Sequence, residues 1–94
     1  MFNILIVEDD INTRKLMDKI IQRAGYNTFL ASNGLEALDV FDKEHIDLIV
    51  LDIMMPQMDG YEFTKTLRDC NNTTPILMIS AKHMPTDKRK AFLV

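Results

Sequence analysis

The sequence has little of several features that would place it in a specialised class. It has one cysteine, Cys70, so neither an internal disulfide nor a cysteine-based metal site can form. With three glycines and three prolines, its composition is not that of a low-complexity chain. No stretch approaches the roughly 18 apolar residues of a membrane span, and no basic, apolar, cleavable signal opens the chain. We therefore expect a cytoplasmic protein in a reducing environment, with no membrane association.

Positive charge is not in excess either. The chain has 11 Lys and Arg against 14 Asp and Glu, a formal net charge of −3. Domains that bind nucleic acid are usually basic, so this balance argues against direct contact with DNA or RNA. The apolar share of 47% and the charged share of 27% are typical of a globular domain. Ninety-four residues allow one domain, which we place at residues 1–94.

Short apolar runs alternate with amphipathic stretches along the chain. The runs are short and rich in β-forming residues, and the third, IDLIVL, is almost wholly apolar, as expected for a strand covered on both faces. Four strands are predicted, at residues 2–7, 26–31, 46–51 and 75–79.

The stretches between these runs have the period of helices. In the first, the predicted core face consists of Leu16, Met17, Ile20, Ile21 and Ala24; in the second, of Leu35, Leu38 and Phe41; in the third, of Phe63, Leu67 and Cys70. A fourth helix is predicted over Pro85–Val94. Gly25 is a helix-ending residue, and Asn33-Gly34 is typical of a turn and cap. Alternating strands and helices predict a doubly wound α/β fold: a parallel sheet with right-handed crossovers and helices on both faces.

Acidic residues follow two of the predicted strands. Glu8, Asp9 and Asp10 come after the first strand, and Asp52 comes after the third. Open parallel sheets bind ligands outside the carboxyl ends of their strands, so these acids converge if the two strands are neighbours. Clustered carboxylates repel each other, and burying one without a partner is costly. A divalent cation such as Mg²⁺, which carboxylates and phosphate oxygens commonly hold, resolves this conflict.

A carboxylate can also act as a nucleophile toward phosphorus and form an aspartyl phosphate. Phosphoryl transfer requires positioning and charge neutralisation, so Glu8 and Asp9 are candidate metal ligands and Asp52 is a candidate acceptor. Ser80, at the end of the fourth strand, is a candidate hydroxyl donor. Simpler interpretations exist for each residue alone. The first three acids can favour the start of a helix, with Asp10 as its cap, and Asp52 or Ser80 can be a turn residue.

The segments ILIVEDD, LIVLDIMMPQMDG and PILMISA, in this order and spacing, resemble the receiver domain of bacterial two-component response regulators. The resemblance covers the whole chain and implies the flavodoxin-like strand order 2-1-3-4-5. It also implies Asp52 as the phosphoacceptor, Ser80 as the switch hydroxyl, and Mg²⁺ bound through Glu8, Asp9, Asp52 and the backbone carbonyl of Met54.

The same resemblance implies a function in phosphorelay signalling. The domain would accept a phosphoryl group from a sensor histidine kinase and switch conformation to control an output domain, acting as a regulator and not as an enzyme. The segment LDIMMPQMDGYEF is most similar to the corresponding segment of regulators that carry a winged-helix DNA-binding domain. This similarity implies that the output is transcriptional and that the full-length protein forms a homodimer. It also implies that DNA is contacted only through that further domain.

The family pattern continues beyond the last residue, Val94. It includes a fifth strand with a switch aromatic, a Lys-Pro and a fifth helix, so we expect an incomplete receiver with strand order 2-1-3-4 and an exposed edge at the fourth strand. Two further positions, Met54 and Lys82, lie where the family tunes the access of water to the phosphoryl group. Neither residue can act there as a base, which predicts a long-lived phosphoryl state.

Other functions of this fold fit less well. A hydrolase of the haloacid dehalogenase type carries a general-acid Asp two residues after its nucleophile, where this chain has Met54. A flavin carrier would have a hydroxyl- and Gly-rich loop in place of the three acids, and a dinucleotide enzyme would have G-x-G-x-x-G. The alternative that remains open is an interaction module that resembles a receiver but is not switched by phosphate.

Overall fold

The computed structural model describes residues 1–52, 60–70, 72–80 and 90–93, and at residues 52, 60, 79, 80 and 90–93 the backbone alone. Strands and helices alternate as the apolar pattern predicts. In chain order the elements are β1 (Asn3–Val7), α1 (Ile11–Arg23), β2 (Asn27–Ala31), α2 (Gly34–Lys43), β3 (Leu48–Asp52), α3 (Gly60–Asp69), β4 (Ile76–Ser80) and β5 (Lys90–Leu93).

The strands form one sheet in the order β2-β1-β3-β4-β5. The first four are parallel, with Val7 of β1 level with Ala31 of β2 and Leu51 of β3, and Asp52 of β3 level with Ile79 of β4. This confirms the predicted parallel sheet with order 2-1-3-4.

The predicted fourth helix over Pro85–Val94 is wrong for Lys90–Leu93, which form β5 and run antiparallel to β4. The bare fourth-strand edge expected from the sequence is therefore paired. The physical reason is that the outer edge of β4 offers unpaired backbone N–H and C=O groups, which an adjacent apolar segment can satisfy. The remainder of the predicted helix lies outside the described residues.

The core lies on both faces of the sheet because successive residues of a strand point to opposite faces. From β1, Leu5 and Val7 join a large cluster with Phe63 of α3, and Ile4 and Ile6 join a smaller one on the other face. The large cluster also contains residues from α2, β3 and β4: Ala37, Ile49, Leu51, Ile76 and Met78. Helices α2 and α3 thus cover one face and α1 covers the other, as predicted for a doubly wound sheet.

Helix α1 contacts the sheet through a narrower face than its sequence predicts. Met17 and Ile21, four residues apart, pack against the smaller cluster. Leu16 and Ile20, placed in the core by the sequence pattern, are 59% and 58% exposed, and Ala24 is exposed too. Each residue turns the helix by about 100°, so Leu16 and Ile20 point well away from the direction of Met17 and Ile21.

The helix ends follow local chemistry. The side chain of Asp10 caps α1, and that of Asn33 caps α2 by accepting from the backbone N–H of Glu36 at 2.9 Å. Gly25, with φ at 96°, follows the end of α1 in the left-handed region that glycine adopts without strain. These three predictions are confirmed. Cys70, expected on the buried face of α3, lies one residue beyond that helix and is exposed.

At the amino-terminal edge of the sheet, polar side chains join β1 to the segment before β3. The Asp47 carboxylate accepts from the backbone N–H of Asn3 at 2.8 Å, and the Asn3 side-chain amide donates to the His45 carbonyl at 2.7 Å. The imidazole Nε2 of His45, which is exposed, lies 2.8 Å from Asp47 Oδ1. The pKa of Asp47 is lowered mainly by the hydrogen bond from the Asn3 N–H; burial opposes this shift, and His45 adds a smaller effect in the lowering direction.

The first prediction concerns the cap of α2. Substituting Asn33→Ala removes the acceptor for the Glu36 N–H and should lower the free energy of unfolding by about 1 kcal/mol, measured by urea denaturation followed by circular dichroism. Asn12→Ala is the matched control, because Asn12 is exposed on α1, and its effect should stay within about 0.5 kcal/mol. Equal effects of the two substitutions would contradict the capping role.

The second prediction concerns the pH dependence that Asp47 adds. Its folded-state pKa lies below the ordinary value of 3.8, so the ionised carboxylate stabilises the fold above that pH, and the contribution disappears as the pH falls through the lowered pKa. Asp47→Asn should therefore reduce the urea midpoint at pH 7 but make little difference once the pH lies below the lowered pKa. Asp42→Asn, on the exposed surface of α2, controls for the loss of one negative charge. A deficit in Asp47→Asn that persists unchanged at such low pH would refute this assignment.

Candidate functional site

Three strands end at the same edge of the sheet, and each end carries a residue singled out by the sequence. Val7 and Leu51 are level in β1 and β3, so Glu8 and Asp52 occupy the next positions along neighbouring strands. Asp52 is level with Ile79, so Ser80 lies one position further on β4. Adjacent strands are about 4.8 Å apart. The backbone therefore brings Glu8, Asp52 and Ser80 to one edge; the side chains of Asp52 and Ser80 lie outside the described set.

This edge is also where the strand order reverses. β1 has β2 on one side and β3 on the other, so the connections that leave β1 and β3 cross opposite faces of the sheet. The helices then diverge and leave a crevice outside the carboxyl ends of these strands. The crevice and the acidic strand ends coincide, which favours this edge as the functional site.

The turn from β1 to α1 holds Glu8 in a buried position. Glu8 is 4% exposed, and its backbone N–H donates to the Ala31 carbonyl at 3.0 Å, so β1 stays aligned with β2 through this residue. Its carboxylate Oε2 accepts from the backbone N–H of Asp10 at 3.0 Å. Burying a carboxylate is costly unless hydrogen bonds or opposite charge compensate it. The sheet and the turn together therefore hold the Glu8 carboxylate inside the fold at the end of β1.

Asp10 has a different role from its two neighbours. Its Oδ2 accepts from the Thr13 hydroxyl at 2.7 Å and from the Thr13 backbone N–H at 2.8 Å. These two bonds, the hydroxyl first, lower the pKa of Asp10, and Arg14 adds a small effect in the same direction. Asp10 is committed to the start of α1, which leaves Glu8 and the half-buried Asp9 as the acid pair.

A basic residue that the sequence analysis did not single out lies beside this turn. The guanidinium Nη1 of Arg14 donates to the backbone carbonyl of Glu8 at 2.7 Å. Its charge also contributes to the lowered pKa of Glu36, whose main cause is the hydrogen bond from the Ser32 backbone N–H at 2.9 Å. The sequence does place Arg14 on α1, four residues after the cap Asp10. This spacing alone does not show whether its long side chain reaches back to the turn before the helix.

The donors at this edge suit a hard cation. Glu8 and Asp9 offer carboxylate oxygens, and the position of Asp52 offers another, which is the ligand set that Mg²⁺ prefers. Among the side chains that the structure describes, no group of three or more acids, histidines and cysteines stands close enough to hold a metal. Two of the four predicted ligands, the Asp52 side chain and Met54, are not among them, so the metal site remains a prediction.

Lys82, the other position expected to affect the access of water to the phosphoryl group, lies outside the described residues. Lys90 begins β5. Within the described ranges, no helix is long and apolar enough to cross a membrane.

Comparison with known proteins agrees with this geometry. The family profile described as "Response regulator receiver domain" matches residues 4–94. Sporulation initiation phosphotransferase F of Bacillus subtilis is 40% identical over 78 residues, covering 83% of this chain and 63% of that protein. The alkaline phosphatase synthesis transcriptional regulatory protein PhoP of the same organism is 44% identical over 85 residues, covering 90% of this chain and 35% of that protein.

Solved structures give the same result. The chemotaxis protein CheY4 of Vibrio cholerae superimposes with a TM-score of 0.81 at 38% identity, covering 94% of this chain and 75% of that one. The receiver domain of the Francisella response regulator 1452 gives a TM-score of 0.82 at 32% identity, with coverages of 94% and 73%.

The extent of the match differs between this chain and its relatives. The chain spans between about a third and just under two thirds of the length of these curated relatives. Within the chain, the match extends from the second residue of β1 to Val94 and includes every strand end of the candidate site. The chain belongs to the response regulator receiver domain family.

Proposed function

We propose that this domain accepts a phosphoryl group on Asp52 in the presence of Mg²⁺, with a sensor histidine kinase as the donor. The observation that carries the proposal is the buried Glu8, followed by Asp9, at the end of β1 directly beside the end of β3 at Asp52. An acid pair next to a third carboxylate is a suitable arrangement for a divalent cation and a phosphoryl group, because both relieve the repulsion between the acids.

In the proposed reaction, a carboxylate oxygen of Asp52 attacks phosphorus while the phosphorus–nitrogen bond of the kinase phosphohistidine breaks. The electron pair of that bond goes to the imidazole nitrogen, which takes a proton from solvent. Glu8 and Asp9 hold the cation beside the acceptor, and the Ser80 hydroxyl donates a hydrogen bond to the transferred group. Mg²⁺, when bound, neutralises charge on the phosphoryl oxygens.

The phosphorylated domain would then switch conformation and control an output domain. Among the relatives, PhoP and ycf27 of Cyanophora paradoxa are transcriptional regulators by name, which supports output in transcription. We further propose that the domain acts as a regulator without an enzymatic reaction of its own on other molecules, in the cytoplasm, and that the full-length protein forms a homodimer. Contact with DNA would come only through a further domain.

A second function deserves a test because of one relative's name. Sporulation initiation phosphotransferase F is named for passing a phosphoryl group on, which fits a relay intermediate as well as a terminal regulator. Asp52 and its neighbours would serve either role. Transfer of the phosphoryl group from the phosphorylated domain to a histidine-containing protein would favour the relay. Binding of the full-length protein to promoter DNA only when it is phosphorylated would favour the regulator.

The third prediction tests the acceptor. Incubation with acetyl phosphate and Mg²⁺ should add the mass of one phosphoryl group in intact-mass spectrometry, and Asp52→Asn should abolish the adduct. Asp47→Asn is the matched control, because Asp47 directly precedes the same strand at its opposite end and should keep the adduct. An unmodified wild-type protein, or an Asp52→Asn variant modified as fast as wild type, would favour the receiver-like module that phosphate does not switch.

The fourth prediction concerns the lifetime of the phosphoryl group. Met54 lies two residues after Asp52 and has no group that can orient an attacking water, so the aspartyl phosphate should be long-lived. Met54→Asn should shorten its half-life, measured by the decay of the adduct after the donor is removed. Met58→Asn controls for introducing an amide elsewhere in the same segment. An unchanged half-life in Met54→Asn would show that this position does not control the access of water.

A further inference from the structure

The acid pair is carried by a turn whose backbone is fixed at several points. The Glu8 N–H continues the ladder to β2, the Asp10 N–H donates to the Glu8 carboxylate, and the Asp10 side chain caps α1. These bonds hold the residues on either side of Asp9. The Glu8 carbonyl oxygen receives its contact from a side chain, the guanidinium of Arg14 at 2.7 Å.

That carbonyl has a particular place in the turn. It belongs to the peptide group that joins Glu8 to Asp9, and a peptide group is planar. The Cα of Asp9 lies in the same plane as this oxygen. A hydrogen bond that holds the oxygen therefore also holds the orientation of the peptide group and the position of the Asp9 Cα. Arg14 is half-buried and starts from the first turns of α1, itself anchored by the Asp10 cap. A charged donor makes a stronger hydrogen bond than a neutral one.

Arg14 affects the site in two opposite ways. Its positive charge near Glu8, Asp9 and Asp10 repels an incoming cation and so weakens metal binding. Its hydrogen bond orders the turn and so strengthens metal binding, since a ligand already held in place loses less freedom when the metal binds. Half-burial and the short 2.7 Å bond favour the second effect as the larger.

We propose that Arg14 is a positioning residue of the phosphoacceptor site: by holding the Glu8–Asp9 peptide group, it keeps the acid pair oriented for Mg²⁺. The inference rests on the proposed function, because it presumes that this pair binds the cation. It adds a residue from α1 to a site otherwise formed by strand ends. It also gives α1 a direct connection to the metal ligands, through one side chain and one carbonyl.

The fifth prediction tests this by titrating the protein with Mg²⁺ in isothermal calorimetry. Arg14→Met keeps much of the aliphatic stem but removes the donor, and should bind Mg²⁺ about tenfold more weakly than wild type. Arg14→Lys keeps the charge with a shorter side chain and a single donor group, and should fall between the two. Arg23→Met is the matched control, since it removes the same side chain from the last turn of α1 and should keep wild-type affinity.

A second measurement separates positioning from a loss of stability. In phosphorylation by acetyl phosphate, Arg14→Met should need about tenfold more Mg²⁺ for half-maximal rate but approach the wild-type rate at saturating Mg²⁺. The thermal unfolding of each variant is measured in the same buffer as the phosphorylation assay. A variant that is merely partly unfolded would be phosphorylated more slowly than wild type at every Mg²⁺ concentration, including saturating Mg²⁺.

The outcomes distinguish the inference from the proposed function. If wild type binds Mg²⁺ and Arg14→Met binds it equally or more tightly, the inference is overturned and the proposed function stands. If wild type shows neither Mg²⁺ binding nor a phosphoryl adduct, both are overturned. If Arg14→Met does not fold, Arg14→Lys decides: weaker binding supports positioning, and wild-type affinity overturns it.

Discussion

Glu8 is 4% exposed at the end of an apolar strand, although an ionised carboxylate is far more stable in water than inside a protein. Its neighbours explain how this is sustained: a backbone N–H donates to its carboxylate, and its own backbone groups are bonded to Ala31 and Arg14. The backbone N–H of Glu8 belongs to the hydrogen bonding between β1 and β2. The position of the acid is thus fixed by the sheet, and the remainder of the site follows from this one constraint.

The constraint accounts for the character of the surrounding strands. β1 lies between β2 and β3 and is covered by α1 on one face and by α2 and α3 on the other, so every residue from Ile4 to Val7 is buried. From Ile4 to Val7 such a strand has no solvent-facing side on which to place an acid, and the first polar residue after this run is Glu8. β3 obeys the same rule and changes to Asp52 after Leu51. Two neighbouring strands with the same requirement bring their acids together.

The sequence predicts these parts well because they depend on local or strictly periodic features. An apolar run of five or six residues predicts a doubly covered strand, and an Asp or Asn before a helical period predicts a cap. Other parts depend on distant contacts. Leu16 has the same character and helical spacing as Met17, and only the shape of the sheet decides which is buried. Residues 90–93 pair with β4 because that strand has an open edge, which a helical pattern cannot reveal. Arg14 was missed because its role depends on the path of its side chain.

The chemistry at the end of β1 separates this domain from other proteins with the same strand order. Where a strand of this kind leads into glycines and hydroxyls, exposed backbone N–H groups can hold a phosphate directly. Here the first polar side chains beyond Val7 are carboxylates, and the Asp10 side chain already accepts from the backbone N–H of Thr13 in the first turn of α1. An anion would meet repulsion unless a cation came with it. The same turn therefore disfavours direct phosphate binding at the helix start, and this electrostatic constraint is the one that the proposed Mg²⁺ site would satisfy.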